Sequence, residues 1–147
     1  MTLHTGSCHC GAVSLSYKSG QPLAVRECQC SFCRKHGARN VSDPAGHCEI
    51  MSSVTLARYR FGLRITDFLI CPKCGCYLAA VMADGGHWRS TVNLNCLDDP
   101  QLDLPAEPMV YDAEDSGDRI ARRLARWTPT RIVEPEPPEQ DSALKRQ

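Results

Sequence analysis

The chain has 147 residues, 42% of them hydrophobic, and its 17 basic and 17 acidic residues balance to a formal net charge of zero. That length fits one domain with a real core, and the charge balance excludes long-range attraction to nucleic acid or to an anionic membrane. The start, Met1-Thr2-Leu3-His4-Thr5-Gly6, lacks the basic-then-apolar pattern of a secretory signal, and no apolar run approaches the roughly 18 residues of a spanning helix, so a soluble, cytoplasmic protein is expected.

Residues 13–17 alternate apolar and polar side chains, as a half-buried strand does. Further strand candidates lie at 23–26, 54–61, 65–70, 77–82 and 90–95, rich in β-branched and aromatic residues. Breakers separate them at Gly20-Gln21-Pro22, Asp43-Pro44-Ala45-Gly46, Gly62, Gly85-Gly86 and Asp98-Asp99-Pro100. A short helical turn is expected after Cys30. A longer helix is expected over 116–127, capped by Asp115 or Ser116 and stopped by Pro129. Ile120, Leu124 and Trp127 sit at i, i+4 and i+7, which predicts that this face packs on the sheet. Arg119, Arg122, Arg123 and Arg126 then read as its wet face rather than as a stripe for nucleic acid. From Glu134 the chain turns Pro- and charge-rich, so a single zinc-binding catalytic domain at 1–133 and a disordered tail at 134–147 are expected. The class is mainly β, with short helices and a C-terminal helix.

In a reducing compartment, ten cysteines point to metal ligation or redox chemistry before disulfides. Cys8-His9-Cys10 is C-x-C, which on an extended strand aims both sulfurs to one side and His9 to the other. Cys71-Pro72-Lys73-Cys74-Gly75 is a tight knuckle whose two sulfurs converge. Together these four thiolates make a closed structural zinc site. Cys28-Gln29-Cys30-Ser31-Phe32-Cys33 overlaps C-x-C with C-x-x-C, giving three sulfurs and no neighbouring fourth. Three protein ligands and one vacant position is how catalytic zinc sites are built. Spacing leaves alternatives open: Cys48, Cys76 or Cys96 closing the triad into a second structural site, or a redox pair at Cys30 and Cys33. Arg34 and Lys35 follow the triad and offer positive charge to an anionic substrate, against the plainer reading of a solvated helix face. His36 is either an acid–base group or an ordinary surface histidine. His47 and His87 read as solvated, and Trp88 as a core or rim aromatic.

Three motifs in order carry a resemblance: Gly6-Ser7-Cys8-His9-Cys10-Gly11-Ala12-Val13, Cys28-Gln29-Cys30-Ser31-Phe32-Cys33-Arg34-Lys35 and Cys71-Pro72-Lys73-Cys74-Gly75. Asn93-Leu94-Asn95-Cys96-Leu97-Asp98-Asp99-Pro100 and Trp127 add to it. The chain resembles the glutathione-dependent formaldehyde-activating enzymes, a family that includes proteins of the centromere protein V type. The resemblance implies an Mss4-like β fold, a structural zinc on Cys8, Cys10, Cys71 and Cys74, and a catalytic zinc on Cys28, Cys30 and Cys33. It also implies carbon–sulfur lyase chemistry with glutathione as cosubstrate, joining formaldehyde to the thiol as S-hydroxymethylglutathione. In the mechanism expected from this, a small-molecule thiol meets an aldehyde at the triad, with Arg34 or water stabilising the alkoxide. A non-catalytic protein-binding module of the same fold is the alternative, and a thiol-redox role ranks third. Two departures stand out: the stretch 40–48 is less apolar than in members, and Cys76 replaces a small hydroxyl residue.

Overall fold

The computed structural model describes residues 1–98 and 103–137. Its strands are β1 (Thr2–Ser7), β2 (Val13–Ser19), β3 (Val25–Cys28), β4 (Asn40–Val41), β5 (His47–Ser52), β6 (Ala57–Tyr59), β7 (Asp67–Ile70), β8 (Tyr77–Asp84), β9 (His87–Asn93), β10 (Ala106–Met109) and β11 (Thr128–Val133). Helix α1 (Ser31–His36) follows β3, a 3-10 turn (Leu94–Cys96) follows β9, and α2 (Ser116–Arg126) precedes β11. The fold is mainly β, as expected. The path β1-β2-β5-β11-β9-β4-β3-β10 forms the sheet, and β6, β7 and β8 branch from β9. Only β10 with β3 and β11 with β5 pair parallel.

Strand β2 buries alternate residues, Val13, Leu15, Tyr17 and Ser19, so one face meets the core. Strand β8 is buried on both faces from Tyr77 to Met82, and it divides two cores. Leu78, Ala79 and Val81 belong to the larger, with Val13, Leu15 and Ile50. Tyr77, Ala80 and Met82 belong to a second core with Phe32, Cys33, Phe68 and Trp127. Phe32 of α1 packs there with ring centroids 4.3 Å from Phe68 and, edge-on, 5.1 Å from Tyr77. This aromatic contact seats a helix of six residues that is too short to persist alone.

Several elements differ from expectation. Of 54–61 only Ala57–Tyr59 is strand, because Ser52 turns the chain by accepting from Val54 N and Glu134 accepts from Leu56 N. Strand β9 begins earlier than expected and gives way at Leu94 to the 3-10 turn. The cap of α2 is Asp115, in a reciprocal capping box with Asp118. Of the expected apolar face of α2, Trp127 is buried, but Ile120 is 37% and Leu124 39% exposed, and Arg123 is buried in their place. Arg123 stacks over Trp127, 4.5 Å from the ring centroid, and donates to Thr66, so the helix docks through its arginine side. Of the expected tail, Glu134 accepts from Leu56 N at 2.7 Å and from Arg58 at 2.6 Å. Residues 138–147, like Asp99 and Pro100, lie outside the described residues.

Candidate functional site

Cys8, Cys10, Cys71 and Cys74 come together with all four sulfurs within 4.8 Å of one another. Cys8 follows the end of β1, and Cys10 lies in the turn to β2 rather than on an extended strand. That turn closes through Cys8 N to Val13 O at 2.9 Å, while Val13 N donates to the Cys8 sulfur. The knuckle closes through Gly75 N to Cys71 O at 2.8 Å, with Gly75 at φ 77° where a side chain would be strained. His9 is exposed beside the sulfurs, as expected. The sulfurs of Cys8 and Cys10, and of Cys10 and Cys71, are each 3.7 Å apart. Tetrahedral zinc with bonds of about 2.3 Å sets adjacent sulfurs about 3.8 Å apart, so this donor set fits the ion.

Cys28, Cys30 and Cys33 form the second group, again within 4.8 Å. Cys28 ends β3, Cys30 is the N-cap of α1 and accepts from Cys33 N at 3.4 Å, and Cys33 is buried one turn into the helix. Hydrogen bonding from Cys28, then from Cys33, pulls the Cys30 thiol down to about 2. Sharing with Cys30 pushes Cys28 up, and sharing with Cys28 and Cys30 pushes Cys33 far up. Three sulfurs this close resist joint ionisation, which a multivalent cation relieves; the set fits a three-coordinate zinc site.

No fourth cysteine joins the triad among the described residues. The Cys76 and Cys96 sulfurs face each other at 3.5 Å, and Cys96 donates to Tyr77 O. Cys48 is fully buried on β5.

A cavity of about 180 Å³ opens beside the triad, and all three of its cysteines lie in the wall. Arg34 and Lys35 are exposed on α1 and form no part of that wall. Its arginines are instead Arg26, Arg119, Arg122 and Arg123. His36 is exposed, and its Nδ1 is 2.9 Å from Phe32 O. Trp88 is half-buried under the Arg58 guanidinium, outside the wall. Two buried, uncharged polar residues of the wall carry unpartnered atoms. Tyr77 is buried with its hydroxyl unpartnered, and Asn40 is buried with Oδ1 unpartnered. Strand alternation after the knuckle carried the only signal for Tyr77, and Asn40 opens the stretch 40–48 that stands out as a departure in the sequence.

A family model described as glutathione-dependent formaldehyde-activating enzyme matches residues 3–113. A crystal structure of a Rhodobacter sphaeroides protein is 28% identical, covers 73% of this chain and 99% of its own, and superposes with a TM-score of 0.57. The family match spans both cysteine groups and ends before α2.

Proposed function

Because the chain belongs to the glutathione-dependent formaldehyde-activating enzyme family, Mss4-like in fold, we propose that it is a zinc-dependent carbon–sulfur lyase or synthase acting on a glutathione–aldehyde adduct. One observation supports this above the rest: three sulfurs, with no fourth protein ligand among the described residues, share a cavity wall. Cys8, Cys10, Cys71 and Cys74 would hold a structural zinc, and Cys28, Cys30 and Cys33 a catalytic one. Zinc at the triad would supply a Lewis-acid position that keeps a thiol sulfur ionised at neutral pH.

The chain's own contribution is placement. Cys30 leaves its backbone carbonyl to Arg34 N and its sulfur to Cys33 N, so the three thiolates are presented by one short, preorganised segment. Phe32, held among Phe68 and Tyr77, fixes that segment and excludes water from one side. In the synthetic direction the thiolate sulfur attacks the aldehyde carbon, the carbonyl electron pair moves to oxygen, and the proton lost by the thiol ends on that oxygen. The reverse cleaves the same carbon–sulfur bond. Arg34 and Lys35, outside the wall, take no step in this scheme.

Formaldehyde and thiols combine unaided, so the quantity to measure is the protein-dependent excess. Exchange NMR of glutathione with formaldehyde should show faster interconversion with the zinc-loaded protein, and Cys30→Ser should remove at least ~90% of that excess. Equal rates for the two folded proteins would falsify the assignment and leave the binding module standing.

A further inference from the structure

The α2 wall of the triad cavity is more cationic than a neutral one-carbon aldehyde requires. Arg123 is only 7% exposed. Its guanidinium donates to Thr66 and stacks on Trp127, yet its Nε has no hydrogen-bond partner. Among the described residues no carboxylate comes within ion-pair distance of it. Of the acids on this side, Glu114 is engaged elsewhere, paired with Arg122 at 2.9 and 3.0 Å and 3.6 Å from Arg119, and Asp112 lines the cavity without an ion pair to Arg123 among the described residues. Burial, reinforced by Arg122 and Arg119, pulls Arg123 down to about 10, so it remains a cation at neutral pH.

A buried, unpaired guanidinium is costly, and so is a buried hydroxyl with no partner. Both residues line this one cavity: Tyr77 is 3% exposed, and its hydroxyl has no partner. Two donors without acceptors call for an anion, and a planar carboxylate matches the guanidinium fork. Of the other unpartnered atoms in this wall, Arg119 Nε faces Glu114 at 3.6 Å, and Asn40 Oδ1 is an acceptor that suits a hydroxyl or N–H on the same ligand.

We propose that Arg123 and Tyr77 form a carboxylate-binding subsite beside the triad, so that the adduct handled there carries a carboxylate, with Asn40 accepting from the neighbouring hydroxyl or N–H. This rests on the reading of the triad cavity as the substrate site. The carboxylate belongs either to the aldehyde, as in an oxo acid, or to glutathione itself.

The test titrates the full-length, zinc-loaded protein with glycolate and with its neutral analogue glycolamide, following Trp127 fluorescence in a Trp88→Phe background. Glycolate should bind saturably and at least ~10-fold tighter than glycolamide. Arg123→Gln should weaken glycolate at least ~10-fold, with Tyr77→Phe costing about 3- to 10-fold. Tyr77→Phe deletes only an unpartnered hydroxyl, so it carries the test if Arg123→Gln fails to fold. Equal binding of the two probes, or unchanged glycolate affinity in the folded variants, overturns the subsite. In exchange assays, an Arg123→Gln penalty that appears with glyoxylate and not formaldehyde assigns the carboxylate to the aldehyde. A penalty that vanishes with the dimethyl ester of glutathione assigns it to the thiol, and one indifferent to both overturns the proposal. Glycolate binding without any catalysed exchange would instead overturn the proposed function and leave the subsite intact.

Discussion

Cys10 Sγ lies 3.7 Å from Cys71 Sγ, across 61 positions of sequence. The turn after β1 and the knuckle before β8 therefore meet through their sulfurs, and an ion at that meeting point is worth folding free energy. Cys71→Ser should lower zinc content by about one ion per chain and the melting temperature by more than about 10 °C. Cys33→Ser should lower zinc content similarly while moving the melting temperature far less, because the triad is local to six residues. Elemental analysis with thermal unfolding checks both. Equal destabilisation by the two changes would count against a division into structural and catalytic ions.

Gly6 of β1 pairs with Leu15 of β2 and forms a bridge with Leu97 on its other edge. A Cβ at this position would stand 1.9 Å from Cys96 O and 2.7 Å from Leu97 Cα, both backbone atoms. Backbone cannot step aside as a flexible side chain does, so β1 must shift and carry Cys8 with it. Gly6→Ala is expected to cost about 3 kcal/mol or more, read by denaturant unfolding, with reduced zinc affinity.

Short-range chemistry was the legible part of this molecule. Three cysteines within six residues converge almost regardless of tertiary context, and the knuckle with Gly75 behaves likewise. Long-range placement was harder to read. The sequence spacing allowed Cys48, Cys76 or Cys96 to close the triad; strand pairing instead buries Cys48 on β5 and sets Cys76 against Cys96. Strand β11 escaped because Pro129 looked like a stop, whereas it opens a strand paired with both β5 and β9. In α2 the apolar pair Ile120-Leu124 competes with Arg119, Arg122 and Arg123 for the inward side, while Trp127 is buried and Arg126 exposed. Hydrophobicity favours the apolar pair, but Trp127 and Thr66 offer Arg123 a stacking face and an acceptor, and Arg123 is the side chain that is buried.

Cys48 should be an unreactive thiol in the native protein. It is completely buried, and burial pushes it up to about 12 against the opposing hydrogen bonds of Ser90 and Thr130. Thiolate is the reactive form, so native-state alkylation should spare Cys48 until the protein unfolds. Peptide mass spectrometry after timed iodoacetamide treatment checks this. Modification of Cys48 at the pace of exposed Cys10 would contradict the burial.

Two carboxylates give the protein a part of its acid stability that a variant isolates. Asp43 accepts from Ser19 Oγ at 2.7 Å, Ala45 N at 2.9 Å and Gly20 N at 3.2 Å, and the Ser19 bond leads in holding its carboxyl below the usual range. For Asp67, burial works against ionisation, but bonds from Arg60 and Arg58 outweigh it and hold the carboxyl low. A carboxyl depressed in the native state means that the unfolded chain binds more protons in the interval between the two values. Stability from each group is therefore fully present above the unfolded value of about 4 and is lost as pH falls through the native one. Zinc ligands also protonate in acid, a loss that wild type and variant share. The difference between wild type and Asp43→Asn removes that shared loss. It should be about 1 to 3 kcal/mol at pH 7 and shrink below about pH 4, as wild-type Asp43 itself becomes neutral. Asp67→Asn should follow the same course with a smaller gap, because the exposed Arg60 lets solvent screen part of the attraction. A gap for Asp43→Asn that stays constant from pH 7 to 3 would show that its charge contributes nothing to folding.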